Sequence, residues 1–265
     1  MTYFETLARR SREASTLLCV GLDPDYRRHA DPAALVAYNQ AIIEATAPYA
    51  ACFKPNIAFY EQFGVDGLQA LKETLAAIPD GIPVIGDVKR GDMANTAEAY
   101  ARAMFEQWQF DAVTINAYQW LDAVAPFLAY EGKGVYALCR TSNPSSREFQ
   151  ELRLANGRQL FEEVAVVATS WSPNVGLVVG ATAPDELRRV RELVPAASLL
   201  VPGVGAQGGL PAQVIAAAGG EPGTIVVNAS RSISYASDGP DFARAAGLAA
   251  RQLRDELNAA VAASV

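Results

Sequence analysis

A chain of 265 residues, 51% hydrophobic and 19% charged, is long enough to bury a large core, and one α/β barrel can use all of it. With 29 acidic against 22 basic residues the formal charge is -7. That balance argues against a nucleic-acid or membrane-surface partner and requires that any anionic ligand be held by a local basic site.

The opening MTYFETLARRSREAST has no apolar h-region, and no apolar run approaches the ~18 residues of a membrane span. A soluble, cytoplasmic protein is therefore expected. The first apolar run, TLLCVGLD (16–23), reads as a strand ending in Asp23. The turn-like YRRHADP follows with the single histidine, His29, which reads as a solvated loop residue. One histidine so placed leaves no strand-end Ser-His-Asp triad and no multi-histidine zinc site, so no metal is expected. The segment DPAALVAYNQAIIEATAPYA reads as a helix with Asp31 as N-cap and Pro32 at the first helical position. The second run, YAACFKPN (49–56), carries Lys54. The third, IPVIGDVK (82–89), ends in Asp87 and Lys89, with Asp92 just beyond. Strand side chains alternate faces, which puts Asp87 and Lys89 on one side and Val88 on the other.

The fourth run is DAVTINAY (111–118), and the fifth, GVYALCR (134–140), leads into RTSNPSS. The sixth, NVGLVVGA (174–181), precedes the helical TAPDELRRVRELVP, which opens like the first helix and ends at Pro195. The seventh, SLLVPGVG (198–205), runs into the glycine-rich PGVGAQGG. The eighth, GTIVVNAS (223–230), ends at Ser230 and Arg231. Asp241 to Ala263 reads as the last helix. Cys19, Cys52 and Cys139 lie inside apolar runs without a CxxC, as buried reduced thiols do.

Eight apolar strands alternating with helical segments imply βαβ units and a buried parallel sheet, and their number and spacing match one (β/α)8 barrel spanning residues 1–265. A doubly wound sheet is the other arrangement compatible with the pattern. In such barrels active sites lie at the carboxyl ends of the strands. Each polar strand end has an ordinary reading taken singly: a surface lysine at Lys54, a loop cap at Asp23, a structural ion pair at Asp87 and Lys89. A buried ion pair, however, is often no more stabilising than a hydrophobic pair, so stability alone explains the third strand poorly. The glycines of 202–209 can turn backbone amides toward an anion, and the Ser230 amide and the Arg231 guanidinium can join them. Loops after strands seven and eight commonly hold phosphate, and the seventh is long enough to act as a lid.

DVKRGD, with FKPN before it and PGVGAQGG and SRS after it, resembles the orotidine 5'-phosphate decarboxylase family over nearly the whole chain. The match through MANTAEAYA points to the branch often called the mycobacterial type. The resemblance implies cofactor-free loss of CO2 from orotidine 5'-monophosphate, giving uridine 5'-monophosphate in pyrimidine biosynthesis. It implies that Lys89 is the proton donor, in a charge array with Asp87, Lys54 and Asp92. Asp23 and Lys54 would meet the ribose hydroxyls, Ser142 the pyrimidine edge, and Gln207, Ser230 and Arg231 the phosphate. Many relatives have Gly-Arg where this chain has Ser230-Arg231, a change that keeps a backbone amide donor. Asp92 and Thr96, one helical turn apart, would reach the partner's site in a homodimer. The alternatives are another phosphosugar decarboxylase or synthase of the same barrel group, or a non-catalytic barrel that binds a phosphate ligand.

Overall fold

The computed structural model describes residues 1–29, 31–205 and 208–264. Helix α1 (Tyr3–Glu13) precedes eight strands: β1 (Leu18–Leu22), β2 (Cys52–Pro55), β3 (Ile85–Arg90), β4 (Ala112–Ile115), β5 (Gly134–Arg140), β6 (Val175–Val179), β7 (Leu199–Pro202) and β8 (Ile225–Ala229). Between and after them lie α2 (Pro32–Thr46), α3 (Ala58–Glu61), α4 (Gly64–Ala76), α5 (Ala94–Arg102), α6 (Leu121–Leu128), α7 (Ser146–Gln150), α8 (Leu160–Trp171), α9 (Pro184–Leu193), α10 (Pro211–Ala218), α11 (Arg231–Ser234) and α12 (Phe242–Ala263). All strand pairings are parallel, and β1 pairs with both β2 and β8. Bridges from Phe53 to Val84 and from Asn56 to Asp87 link β2 to β3 and complete the ring. A doubly wound sheet would leave two edge strands paired on one side only, so the closed (β/α)8 barrel is the fold.

Local signals explain the helix starts. Asp31 caps α2 by accepting a 3.0 Å bond from the Ala33 amide, with Pro32 at the first helical position. Pro184 opens α9 in the same way, but its cap is Ala183, which offers no side-chain bond, and the helix ends at Leu193. Asp241 precedes α12 as expected.

Strand alternation separates two apolar layers. Cys19, Cys52, Ile85, Ala112, Tyr136, Val178, Leu200 and Val226 fill the barrel interior, plugged at its amino end by Tyr3 and Leu7 of α1. Their strand neighbours Val20, Phe53, Val113, Val135, Leu177 and Val227 pack outward against the helices. All three cysteines are buried and unpaired. Two residues beyond Cys52, Ile85, Ala112 and Val226, on the same inward face, stand Lys54, Asp87, Thr114 and Asn228. The apolar filling thus gives way to a buried polar layer toward the carboxyl ends.

His29 departs from the solvated reading. Its ring lies 4.1 Å from Tyr38 and 6.1 Å from Tyr235, and its Nε2 is buried without a partner among the described residues. Burial, followed by the neighbouring Arg28, lowers its pKa. No helix among the described residues is long and apolar enough to cross a membrane.

Candidate active site

The polar layer opens into a cleft of about 640 Å³ whose lining includes Asp23, Lys54, Asn56, Asp87, Asn228, Ser230, Arg231 and Tyr235. Asp87 is its electrostatic centre. The Lys54 ammonium donates to Oδ2 at 3.1 Å, the Lys89 ammonium to Oδ1 at 2.6 Å, and the Thr114 hydroxyl to Oδ1 at 2.9 Å. Burial alone would raise the Asp87 pKa, but Lys54 and Lys89 outweigh it and hold the carboxyl well below the usual range. Lys54 is more deeply buried still, and desolvation acts against its charge. The Asp87 and Asp23 carboxylates more than offset this and raise its pKa. The two partners' shifts agree in sense: the pair is ionised on both sides.

Lys89 reaches Asp87 by a route the alternation rule does not contain. Between Gly86 and Arg90 the chain advances four residues while β4 advances two, from Val113 to Ile115, so β3 bulges by two residues. Lys89 sits in that bulge with φ +44, a left-handed conformation unusual for a lysine. It shares a carboxylate with Lys54 because the bulge turns it back, not because a regular strand aligns it.

Asp23, past the end of β1, accepts a 3.1 Å bond from the Asn56 amide and so ties the first two strand ends together. Ser230 packs on the β1 backbone at Gly21, where an added Cβ would lie 2.6 Å from the serine Cβ. Its hydroxyl is buried without a partner among the described residues. Arg231, the next residue, is exposed at the start of α11 and pairs with no carboxylate among the described residues. In a chain with net charge -7 an unpaired guanidinium in a cleft is suited to an anionic ligand. The glycine-rich loop folds on itself, with Gly205 N bonded to Gly209 O at 3.2 Å and Gly209 N to Gly203 O at 3.0 Å. Gly203, Gly205 and Gly208 have positive φ. Gln207 lies outside the described residues.

Ser142 follows β5 and packs against Gly180 past the end of β6, where a Cβ would lie 3.0 Å from the serine Cβ. Asp92 and Thr96 are not brought into the cleft. Asp92 is half-buried and, among the described residues, accepts only from the Met93 amide at 2.9 Å, and Thr96 is exposed on α5. The helical spacing expected of them does not apply. Met93 is the extended N-cap of α5 and Ala94 has φ +53, so Asp92 lies outside the helix.

Three contributors were missed in the sequence. Asn56 steadies Asp23. Asn228 lines the cleft and donates to the Cys19 carbonyl at 3.1 Å. Thr114 binds Asp87, and its one sequence signal is a hydroxyl two residues from Ala112 in an otherwise apolar strand.

A closed parallel barrel with an ionised lysine–aspartate–lysine array at the carboxyl ends of its strands defines a (β/α)8-barrel enzyme. Residues 16–246 match the orotidine 5'-phosphate decarboxylase / HUMPS family. The chain is 47% identical over 272 positions to orotidine 5'-phosphate decarboxylase of a Roseiflexus species, covering 99% of this chain and 100% of the relative. It is similar to the solved structure of Leishmania donovani OMP decarboxylase, with 41% identity, a TM-score of 0.88, and coverage of 98% of this chain and 99% of that one. It is also similar to Leishmania donovani UMP synthase, at 41% identity and a TM-score of 0.87. That match covers 97% of this chain but 57% of that longer one. The chain belongs to the orotidine 5'-phosphate decarboxylase / HUMPS family.

Proposed function

We propose that this protein converts orotidine 5'-monophosphate to uridine 5'-monophosphate and CO2, as a step of pyrimidine biosynthesis in the cytoplasm. Family membership sets the reaction class. The observation that carries the reading within it is the ionised Asp87 held between Lys54 and Lys89 in a cleft that also contains Arg231.

Loss of CO2 breaks the bond between C6 and its carboxylate and leaves the electron pair on C6, which has no conjugated sink. Preorganised charge must then stabilise that pair. The Lys89 ammonium faces the developing carbanion and transfers its proton to C6. The resulting amine regains a proton from water. Asp87 lies against the substrate carboxylate, so two like charges raise the ground state, and the repulsion disappears as CO2 leaves. Lys54 keeps Asp87 ionised throughout. In this reading the chain's own charges carry the reaction without a cofactor or a metal.

The remaining assignments complete the proposal. Asp23 and Lys54 bind the ribose hydroxyls, Ser142 reads the pyrimidine edge, and Ser230, Arg231 and Gln207 hold the phosphate, with 202–209 as a lid. The whole chain, 1–265, acts as one barrel domain. Asp92 and Thr96 serve the site of the second subunit in a homodimer. Their position away from their own cleft supports this, as do the exposed apolar residues Met93, Tyr118, Trp120 and Leu121 after β3 and β4.

The test is to follow orotidine-monophosphate absorbance with purified, metal-stripped protein. Turnover that yields uridine monophosphate and persists in a chelator is expected. No turnover of this nucleotide, or turnover that needs an added divalent ion, refutes the reading and favours another phosphosugar enzyme of the barrel group.

A further inference from the structure

Thr114 of β4 is buried, with 1% of its surface exposed, and its hydroxyl makes three bonds, all to the active segment of β3. It accepts from the Val88 amide at 3.0 Å and from the Lys89 amide at 3.0 Å, and it donates to Asp87 Oδ1 at 2.9 Å. A hydroxyl has two acceptor lone pairs and one proton. With both lone pairs facing backbone amides, the proton is directed to the carboxylate.

The two amides lie inside the bulge, between the register pairs Gly86–Val113 and Arg90–Ile115. There β3 advances four residues against two on β4. A buried amide without a partner is costly, and so is the left-handed φ of Lys89. One side chain thus supplies an acceptor for both amides and a third donor for Asp87.

We propose that Thr114 is a positioning residue: its hydroxyl stabilises the β3 bulge that turns Lys89 onto Asp87 and fixes the carboxylate that Lys89 shares. The inference rests on the decarboxylase reading for its kinetic consequence, and on the bond geometry alone for its structural one. Thr114 touches neither the reacting carbon nor the phosphate grip in that reading, so its removal acts on turnover and not on nucleotide affinity.

The experiment compares Thr114→Val, which keeps the shape and removes the hydroxyl, with Thr114→Ser, which restores it. Thr114→Val is expected to lower kcat by about 10- to 100-fold, the range for outer-shell partners that orient an active group. Its affinity for uridine monophosphate, measured by titration, should stay within about threefold of wild type. Thr114→Ser should recover all but about threefold of kcat, because the three bonds return. Circular dichroism of each variant checks folding. The proposal fails if Thr114→Val keeps wild-type kcat, if nucleotide affinity falls as far as kcat, or if the serine brings no recovery. A wild-type protein inactive on orotidine monophosphate would refute the functional reading instead. The bulge is then decided by a crystal structure of Thr114→Val: an extended Lys89 upholds Thr114's part, and a φ still near the left-handed value overturns it.

Discussion

Two buried ionic clusters at the carboxyl ends of this barrel are built alike with the charges reversed. At β3 one carboxylate, Asp87, lies between two ammonium groups. At the end of β5 one guanidinium, Arg140, lies between two carboxylates, Glu151 at 2.7 Å and Glu186 at 3.2 Å. Both sit on a bulge, since β5 advances two residues from Leu138 to Arg140 while β6 advances one, from Val178 to Val179. They differ in what is left free. The Lys89 side chain is 48% exposed, whereas that of Arg140 is 4% exposed and is bonded to the Thr141 carbonyl and the Ser146 hydroxyl. The first cluster keeps a half-exposed ammonium on an aspartate that lines the cleft. The second is sealed, and its bonds tie down the loop carrying Ser142. Burial and ion pairing therefore do not distinguish a chemical site from a scaffold; an unsealed charge on a group that lines a cavity does.

The largest effect tests the open cluster. Lys89→Ala should lower kcat by roughly 10³-fold or more, by loss of the proton donor and of charge stabilisation at C6. Its stability should change by no more than about 1 kcal/mol, because Lys89 is half-exposed while Lys54 and Thr114 remain on Asp87. A thermal melt beside the assay reads both, and substantial residual turnover would remove Lys89 from its role.

The sealed cluster should respond in the opposite way. Arg140→Met leaves two carboxylates without their buried partner, a loss of about 3–5 kcal/mol. For a chain of this size that lowers Tm by roughly 6–20 °C. Turnover at low temperature should fall less than tenfold, with KM rising more than kcat drops as the Ser142 loop loosens. A melt within a degree or two of wild type would show that the cluster is not structural.

Arg231 sharpens the rule, since it is an unsealed charge that lines the cleft itself. Arg231→Ala removes a charge-assisted contact worth about 1.5–3 kcal/mol, or about 10- to 150-fold in kcat/KM for the nucleotide. Orotidine, which lacks the phosphate, should show almost no loss. Equal losses on both substrates would place Arg231 away from the phosphate.

The smallest expected signal concerns Asp92, the carboxylate outside its own cleft. Lys89→Ala and Asp92→Ala are each expected to be inactive. Mixed and re-equilibrated in equal amounts they form hybrids in about half the dimers, each with one site free of both lesions. Activity should rise to about a quarter of wild type if sites are independent and shared across the interface. Demonstrated subunit exchange with activity still at the parental background would confine Asp92 to its own chain.

The sequence by itself determined the eight-strand beat, the parallel α/β class and most of the charged set, because these are encoded locally, while closure of the barrel rests on the pairing of β2 with β3. Alternation puts Lys54 and Asp87 two residues beyond apolar interior positions, and caps such as Asp31 start helices wherever the chain goes. It also paired Lys89 with Asp87, though by a regular strand that β3 does not form. Only the tertiary structure decided the bulge, because a register shift exists only relative to β4, and the threonine that sustains it lies 27 positions from Asp87. Arg140 appeared merely as the end of a strand, since its carboxylates lie 11 and 46 residues away on other elements. His29 looked solvated because its loop is polar, while the tyrosines that enclose it come from α2 and the segment after α11. Periodicity records which face a residue occupies. Which polar group meets it there depends on hydrogen bonds that close only when distant strands are brought side by side.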